Sequence, residues 1–324
     1  GVRHAVSVSN GTCAIHLALK VLDIGPGDEV IVPAFTFPAT VNAVYHSGAT
    51  PVLVDCLPDH WSMDPAEAVK AISPATKAVI PVHLYGHPCD MASIMEVARR
   101  HKIFVIEDAA EAHGAECLGR KVGGLGDIGC FSFYGNKVIT TGEGGMCVTD
   151  DERLNDRLRK MRDHGMSKVR RYWQEEIGFN YRLTNLNAAL GVAQLEQIEE
   201  FLARRAELAR MYENALNNIS GFRIYTDSPF GKKIDWLFCL FVEEIFPFGR
   251  DLLLQQLNEY KIDARPTFYP IHLMPLYKSI KKARSLDNAE RFGLTGINLP
   301  IYPSLPEEDI QYIVEVLRDC SFRS

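Results

Sequence analysis

The sequence has no run of 18 consecutive apolar residues, so it offers no segment that reads as a transmembrane helix. It has no C-x-x-C pair. Its eight cysteines (13, 56, 89, 117, 130, 147, 239 and 320) are scattered, which excludes a disulfide or zinc framework and fits a reducing cytoplasm. Several lie in apolar runs, where a thiol acts as a small hydrophobe. Positive charge is not in excess: 35 Lys and Arg stand against 41 Asp and Glu, for a net −6, which argues against a nucleic-acid or anionic-membrane partner. There is no signal peptide pattern and no initiator Met, and a strand-like His4–Val8 follows Gly1 directly. Two sequon-like triplets, Asn10-Gly11-Thr12 and Asn218-Ile219-Ser220, have no secretory context to give them meaning.

What is present is an α/β pattern. Val30–Val32, Val52–Val54, Ala78–Val82 and Ile103–Ile106 are short, β-branched and apolar throughout. Strands covered on both faces of a mainly parallel sheet read this way. Helical spacing fills the gaps at Thr12–Leu22, Pro65–Ile72 and Met91–His101, and a long helical region is predicted over Leu183–Asn217. The texture then changes. Phe222–Tyr225 and Trp236–Val242 read as strands, Asp251–Tyr260 and Glu307–Leu317 as helices. A length of 324 residues suggests two domains at about 150 residues each, placed at 1–205 and 206–324.

Three segments carry chemistry. Asn10-Gly11-Thr12 joins a strand to a helix, where unpaired amides suit either a phosphate or an ordinary cap. Ile103–Ile106 ends in Glu107-Asp108, and carboxylates at such a strand end either bind a ligand or cap the next helix. Phe131–Tyr134 leads through Gly135-Asn136 to Lys137 and on to Thr140–Gly145, an apolar, glycine-rich setting unusual for lysine. A partly desolvated lysine is a usable nucleophile toward an aldehyde. Pyridoxal phosphate needs such a lysine, a carboxylate on its ring nitrogen and a phosphate cradle, and Lys137, Asp108 and Thr12 supply one of each.

Two other patterns fail on context. Gly124–Gly129 satisfies G-x-G-x-x-G but precedes a strand, so it reads as a tight turn. His83, His87, Cys89 and Asp90 suggest a metal, but Gly86 and Pro88 break the helix that would align them, and no metal site is expected.

Val105–Gly114, Phe131–Met146, Ser9–Leu19 and Gly178–Gly191 together resemble the DegT/DnrJ/EryC1/StrS sugar aminotransferases. The resemblance runs from residue 9 to about 275. It implies a type I, aspartate-aminotransferase-like fold, with a large mainly parallel sheet domain and a smaller α+β C-terminal domain. It also implies a homodimer whose sites are built from both subunits. Lys137 would hold pyridoxal 5'-phosphate covalently and shuttle the substrate proton, while Asp108 would keep the ring nitrogen protonated. Phe37 would stack on the ring, with core packing as its plain alternative. Gly11, Thr12 and Ser132 would take the phosphate, and Asn180 would reach it from the neighbouring subunit. Glu111 falls near the cofactor's phenolic oxygen, where many members have Gln or His.

Gly135-Asn136-Lys137, Thr140–Glu143 and Arg265–His272 are most similar to members that aminate C4 of GDP-4-keto-6-deoxymannose with glutamate, in polysaccharide biosynthesis. Tyr269 and His272 would then line the sugar side, with a structural turn as the equal alternative. A related subgroup with His at the lysine position removes a hydroxyl instead, and Lys137 argues against that chemistry. The remaining alternatives are a UDP- or dTDP-linked keto sugar, a dehydratase, and a non-catalytic regulator on the same fold. Members of the family also carry a further helix and strand before the position of Gly1.

Overall fold

The computed structural model describes residues 1–217 and 219–322; Asn218, in the second sequon-like triplet, lies outside them. The first half alternates strand and helix. Strand β1 is His4–Val8, β2 Glu29–Pro33, β3 Thr50–Val54, β4 Thr76–Val79 and β5 Phe104–Asp108. Helix α1 spans Gly11–Val21 and starts where Asn10 Oδ1 accepts the Cys13 amide at 2.8 Å. Helix α2, Pro38–Ser47, begins on a proline, whose missing N–H costs nothing at that position. β4 stops at Val79, short of the expected Val82, and Pro81 has no N–H to give a neighbouring strand.

Eight strands form the large sheet in the order β1, Gly145–Thr149, Ile128–Ser132, β5, β4, β2, β3, Lys281–Lys282. The five pairings from Ile128–Ser132 to Lys281–Lys282 are parallel; those on either side of Gly145–Thr149 are antiparallel. Helices cover both faces, which is why β2 and β3 bury nearly every residue.

The expected long helix is two helices, Asn185–Leu195 and Ile198–Leu216, separated at Glu196-Gln197. The second bridges two hydrophobic cores. Ile198 and Leu202 pack on the large one, while Leu208, Ala209, Tyr212 and Leu216 belong to the other. The expected boundary after residue 205 lies inside this helix. The second core is roofed by a four-stranded antiparallel sheet ordered Phe222–Ile224, Phe238–Val242, Gly296–Leu299, Arg265–Pro266. Among the described residues no helix is long and apolar enough to cross a membrane.

Candidate active site

The carboxyl ends of β5 and Ile128–Ser132 and the N-terminus of α1 together line a cavity of about 1320 Å³. Ligands of parallel α/β sheets collect at this edge. Successive residues of β5 point to opposite faces, so Glu107 and Asp108 do different work. Glu107 accepts the amides of Gly123, Leu125 and Gly126 at 2.6–2.7 Å and faces His83 Nε2 at 3.0 Å. The G-x-G-x-x-G segment is therefore a turn wrapped around a buried carboxylate. His83 Nδ1 accepts the Cys89 amide, which leaves the ring proton on Nε2 for Glu107.

Asp108 lines the cavity instead. Its Oδ2 accepts Thr40 Oγ1 at 2.7 Å and its Oδ1 the Ala110 amide at 3.2 Å. Burial pushes its carboxyl above the ordinary value, against the lowering pull of these hydrogen bonds and of Lys137. Among the described residues it makes no ion pair of its own. A buried carboxylate without a cation is complementary to a protonated ring nitrogen.

Lys137 sits on a loop closed by Phe133: the Phe133 amide donates to Gly144 O at 2.8 Å, and Thr141 N donates back to Phe133 O at 2.9 Å. Its side chain is only 11% exposed, and Nζ lies 3.3 Å from Glu111 Oε1. Glu111 Oε2 accepts the Tyr85 amide at 3.0 Å, and burial raises its carboxyl too, opposed first by Lys137. Nζ also stands 3.8 Å from the centre of the Trp236 ring.

The Gly11 and Thr12 amides, first in α1, have no acceptor within the helix and line the same cavity beside Ser132. A Cβ on Gly11 would stand 2.8 Å from Ser132 Cβ, so only glycine lets the helix end come this close. Open amides, a hydroxyl and the positive end of a helix dipole fit a phosphate. Phe37, 53% exposed, borders the cavity with its ring 5.2 Å from Phe268. Lysine, unpaired carboxylate, anion cradle and exposed ring together suit pyridoxal phosphate.

The structure thus brings Gly11, Thr12, Phe37, Asp108, Glu111, Ser132 and Lys137 to one cavity. Asn180, Tyr269 and His272 are not among its lining residues. Asn180 is exposed and accepts Arg182 Nε at 3.2 Å. Tyr269 packs on Arg250, and His272 Nε2 meets Glu290 Oε1 at 2.9 Å. Among the described residues no cluster of His, Cys, Asp and Glu could hold a metal. Thr40, Tyr85 and Trp236 went unnoticed in the sequence, because each reaches the site through a contact distant along the chain.

A model of the DegT/DnrJ/EryC1/StrS aminotransferase family matches residues 1–318. The chain belongs to that family. GDP-perosamine synthase of Caulobacter vibrioides is 47% identical over 319 residues, covering 98% of this chain and 85% of the relative. The GDP-perosamine synthase of Escherichia coli O157:H7 is 45% identical over 318 residues, 98% of this chain and 86% of its own. Among solved structures, Streptomyces venezuelae DesV in complex with a ketimine intermediate superposes with TM-score 0.93 at 39% identity, over 100% of this chain and 86% of that one. The protein is a sugar aminotransferase of type I fold, and pyridoxal phosphate is its cofactor.

Proposed function

We propose that this aminotransferase transfers the amino group of glutamate to the C4 carbonyl of GDP-4-keto-6-deoxymannose. The product is GDP-perosamine, an amino sugar activated for polysaccharide assembly. One observation carries the reading: Lys137, Asp108 and the α1 N-terminus converge on one cavity, in a chain 47% and 45% identical to GDP-perosamine synthases. Fold alone would not support it, because function resides in the site.

When bound, pyridoxal phosphate supplies an electron sink for the carbon next to the transferred nitrogen. The protein's groups do the rest. Asp108 holds the proton on the ring nitrogen, its carboxylate aimed by Thr40 and the Ala110 amide. Lys137 Nζ accepts the proton of the reacting carbon and returns one in the other half of the reaction. The Gly11 and Thr12 amides and Ser132 Oγ hold the phosphate, and Phe37 covers the ring and excludes water. Glu111 keeps the lysine ammonium in the cavity whenever it is not covalently engaged. Glutamate leaves as 2-oxoglutarate before the keto sugar reacts, so the kinetics are ping-pong.

The working form in this reading is a homodimer. Helix Asn185–Leu195 buries none of its residues, and Leu186, Leu190, Val192 and Leu195 are all exposed with nearby Ile177. A helix that is apolar on opposite sides and covered on neither suits burial against a second copy. Asn180 lies beside it in sequence and would meet the partner's phosphate site. Tyr269 and His272 are assigned to the sugar side, next in the chain to cavity-lining Phe268. Cys13, Cys56, Cys89, Cys117, Cys130, Cys147 and Cys239 are free thiols, which supports a cytoplasmic enzyme.

The test is to incubate purified protein with glutamate and, separately, GDP-, UDP- and dTDP-linked 4-keto-6-deoxy sugars, and to identify the product. GDP-perosamine with stoichiometric 2-oxoglutarate is expected. Preference for a dTDP sugar would move the substrate toward that of the S. venezuelae dTDP-3-amino-3,4,6-trideoxy-glucose transaminase, which is 39% identical. Release of ammonia would indicate a dehydratase. Turnover by Lys137→Ala would end the assignment.

A further inference from the structure

Lys137 is held by more than its carboxylate partner. Trp236, from the segment before strand Phe238–Val242, touches both the lysine and the residue before it. The ring face lies 3.8 Å from Nζ, and the indole Nε1–H donates to Asn136 O at 2.8 Å, anchoring the residue before the lysine. Trp236 is 2% exposed and itself rigidly placed. Arg205, buried in helix Ile198–Leu216, donates to Trp236 O at 3.0 Å and Ile301 O at 2.9 Å. The Ile234 amide donates to Gly86 O at 3.0 Å, and a Cβ on Gly86 would collide with Ile234 O.

The second partner of Lys137 is tied to the same frame. Tyr85, fully buried, lies parallel to Trp236 with ring centres 6.1 Å apart, and its amide donates to Glu111. Its backbone is left-handed, with φ 55° and ψ 21°, a conformation that a bulky side chain adopts only when its surroundings impose it. That turn aims the amide at Glu111 while the ring backs Trp236. The Tyr85 hydroxyl accepts the Phe268 amide at 2.8 Å, and the Phe268 ring packs on Phe37. One buried tyrosine thus supports both neighbours of the lysine and the aromatic at the cavity mouth.

We propose that Trp236 is a positioning residue for Lys137, its ring setting the direction of the amine and its indole N–H fixing the loop that carries it. A free lysine has many rotamers, and confining it in advance removes that cost from each encounter with the cofactor aldehyde. Capture condenses the neutral amine with the aldehyde, forming one C=N bond and releasing one water. The inference rests on Lys137 being the residue that carries the cofactor.

The experiment measures capture of pyridoxal phosphate by cofactor-free protein, followed by absorbance and confirmed by borohydride reduction and peptide mass mapping. Noncovalent affinity is measured in parallel with pyridoxamine phosphate, which cannot condense with a lysine. Trp236→Leu, lacking both ring face and N–H, frees the lysine's rotamers and the loop that carries it, and is expected to capture about tenfold more slowly. Trp236→Phe, keeping a ring without the N–H, should lie between it and the native protein. Pyridoxamine phosphate affinity should stay within about twofold in both, because the phosphate and ring contacts are untouched. Unchanged or faster capture overturns the proposal, as does a parallel fall in capture and pyridoxamine phosphate affinity, which marks a merely structural role. Should Trp236→Leu not fold, Trp236→Phe decides alone, and capture at the native rate overturns the idea. Capture by the native protein at a lysine other than Lys137 would instead overturn the site assignment.

Discussion

Thr40 Oγ1 donates a 2.7 Å hydrogen bond to Asp108 Oδ2 from a residue 68 positions away, joining the first turn of α2 to the end of β5. The bond aims the carboxylate and pulls its proton affinity down against the effect of burial. Thr40→Val keeps the shape and removes the donor. Hydrogen bonds to charged groups are worth roughly 1.5–3 kcal/mol, so kcat should fall about tenfold or more. The acid limb of the pH–rate profile should move to higher pH, because the carboxylate then holds its proton longer. An unmoved acid limb would show that Asp108 does not need Thr40.

Gly11→Ala tests the anion cradle. The added methyl would meet Ser132 Cβ at 2.8 Å and must push the helix end or the serine away. Pyridoxamine phosphate should bind about tenfold more weakly, since two amides and a hydroxyl lose their common geometry. Native affinity in this variant would place the phosphate elsewhere. Equilibrium dialysis is sufficient.

His113 gives a stability prediction. The ring is buried against Phe131 and Phe133, and among the described residues neither nitrogen makes a hydrogen bond of ordinary geometry, with the Ser132 backbone as a polar neighbour. Burial, helped by the charge on Lys137, pushes its pKa from 6.5 down to about 3, with the Ser132 backbone opposing. Between those values the unfolded chain binds a proton that the folded one refuses, so stability falls as pH falls. The loss from this group is about 1.4 kcal/mol per pH unit. His113→Leu in cofactor-free protein should show a shallower decline below pH 6.5, measured by urea unfolding at several pH values. Equal slopes would mean that the native ring already carries its proton.

The dimer reading predicts complementation. Lys137→Ala and Asn180→Ala protomers should each be inactive or severely impaired. Unfolded and refolded together, they should regain partial activity, because one site of each mixed dimer then has both residues. Leu186→Arg with Val192→Arg should give monomers in sedimentation, with little change in monomer stability, because both positions are exposed. No gain on mixing would place Asn180 and Lys137 in the same subunit's site.

Much of the fold was legible because short apolar runs and helical spacing report burial directly. β2, β3, β5 and the helix Met91–His101 fall where the pattern puts them, within a residue or two. Errors arose where a local signal had two structural solutions. Leu183–Asn217 is continuously helical in composition, yet splits at Glu196-Gln197, with one piece left unburied. Of the site, Asn10-Gly11-Thr12 and the Lys137 loop were readable because a cap and a glycine-rich strand exit are local. The G-x-G-x-x-G segment was recognisable as a turn, but not as the wrapping of Glu107, which lies in another strand.

The amino-acid sequence by itself determined the α/β order, the lysine, the paired carboxylates at one strand end and the glycine that lets α1 approach Ser132. Periodicity and turn chemistry act over a few residues and leave their mark in the chain. The tertiary structure alone decided which carboxylate faces the cavity, that Thr40 aims it, and that Trp236 anchors Asn136 from 100 positions away. Those contacts depend on how the sheet's edge meets later parts of the chain, and no local pattern encodes that meeting.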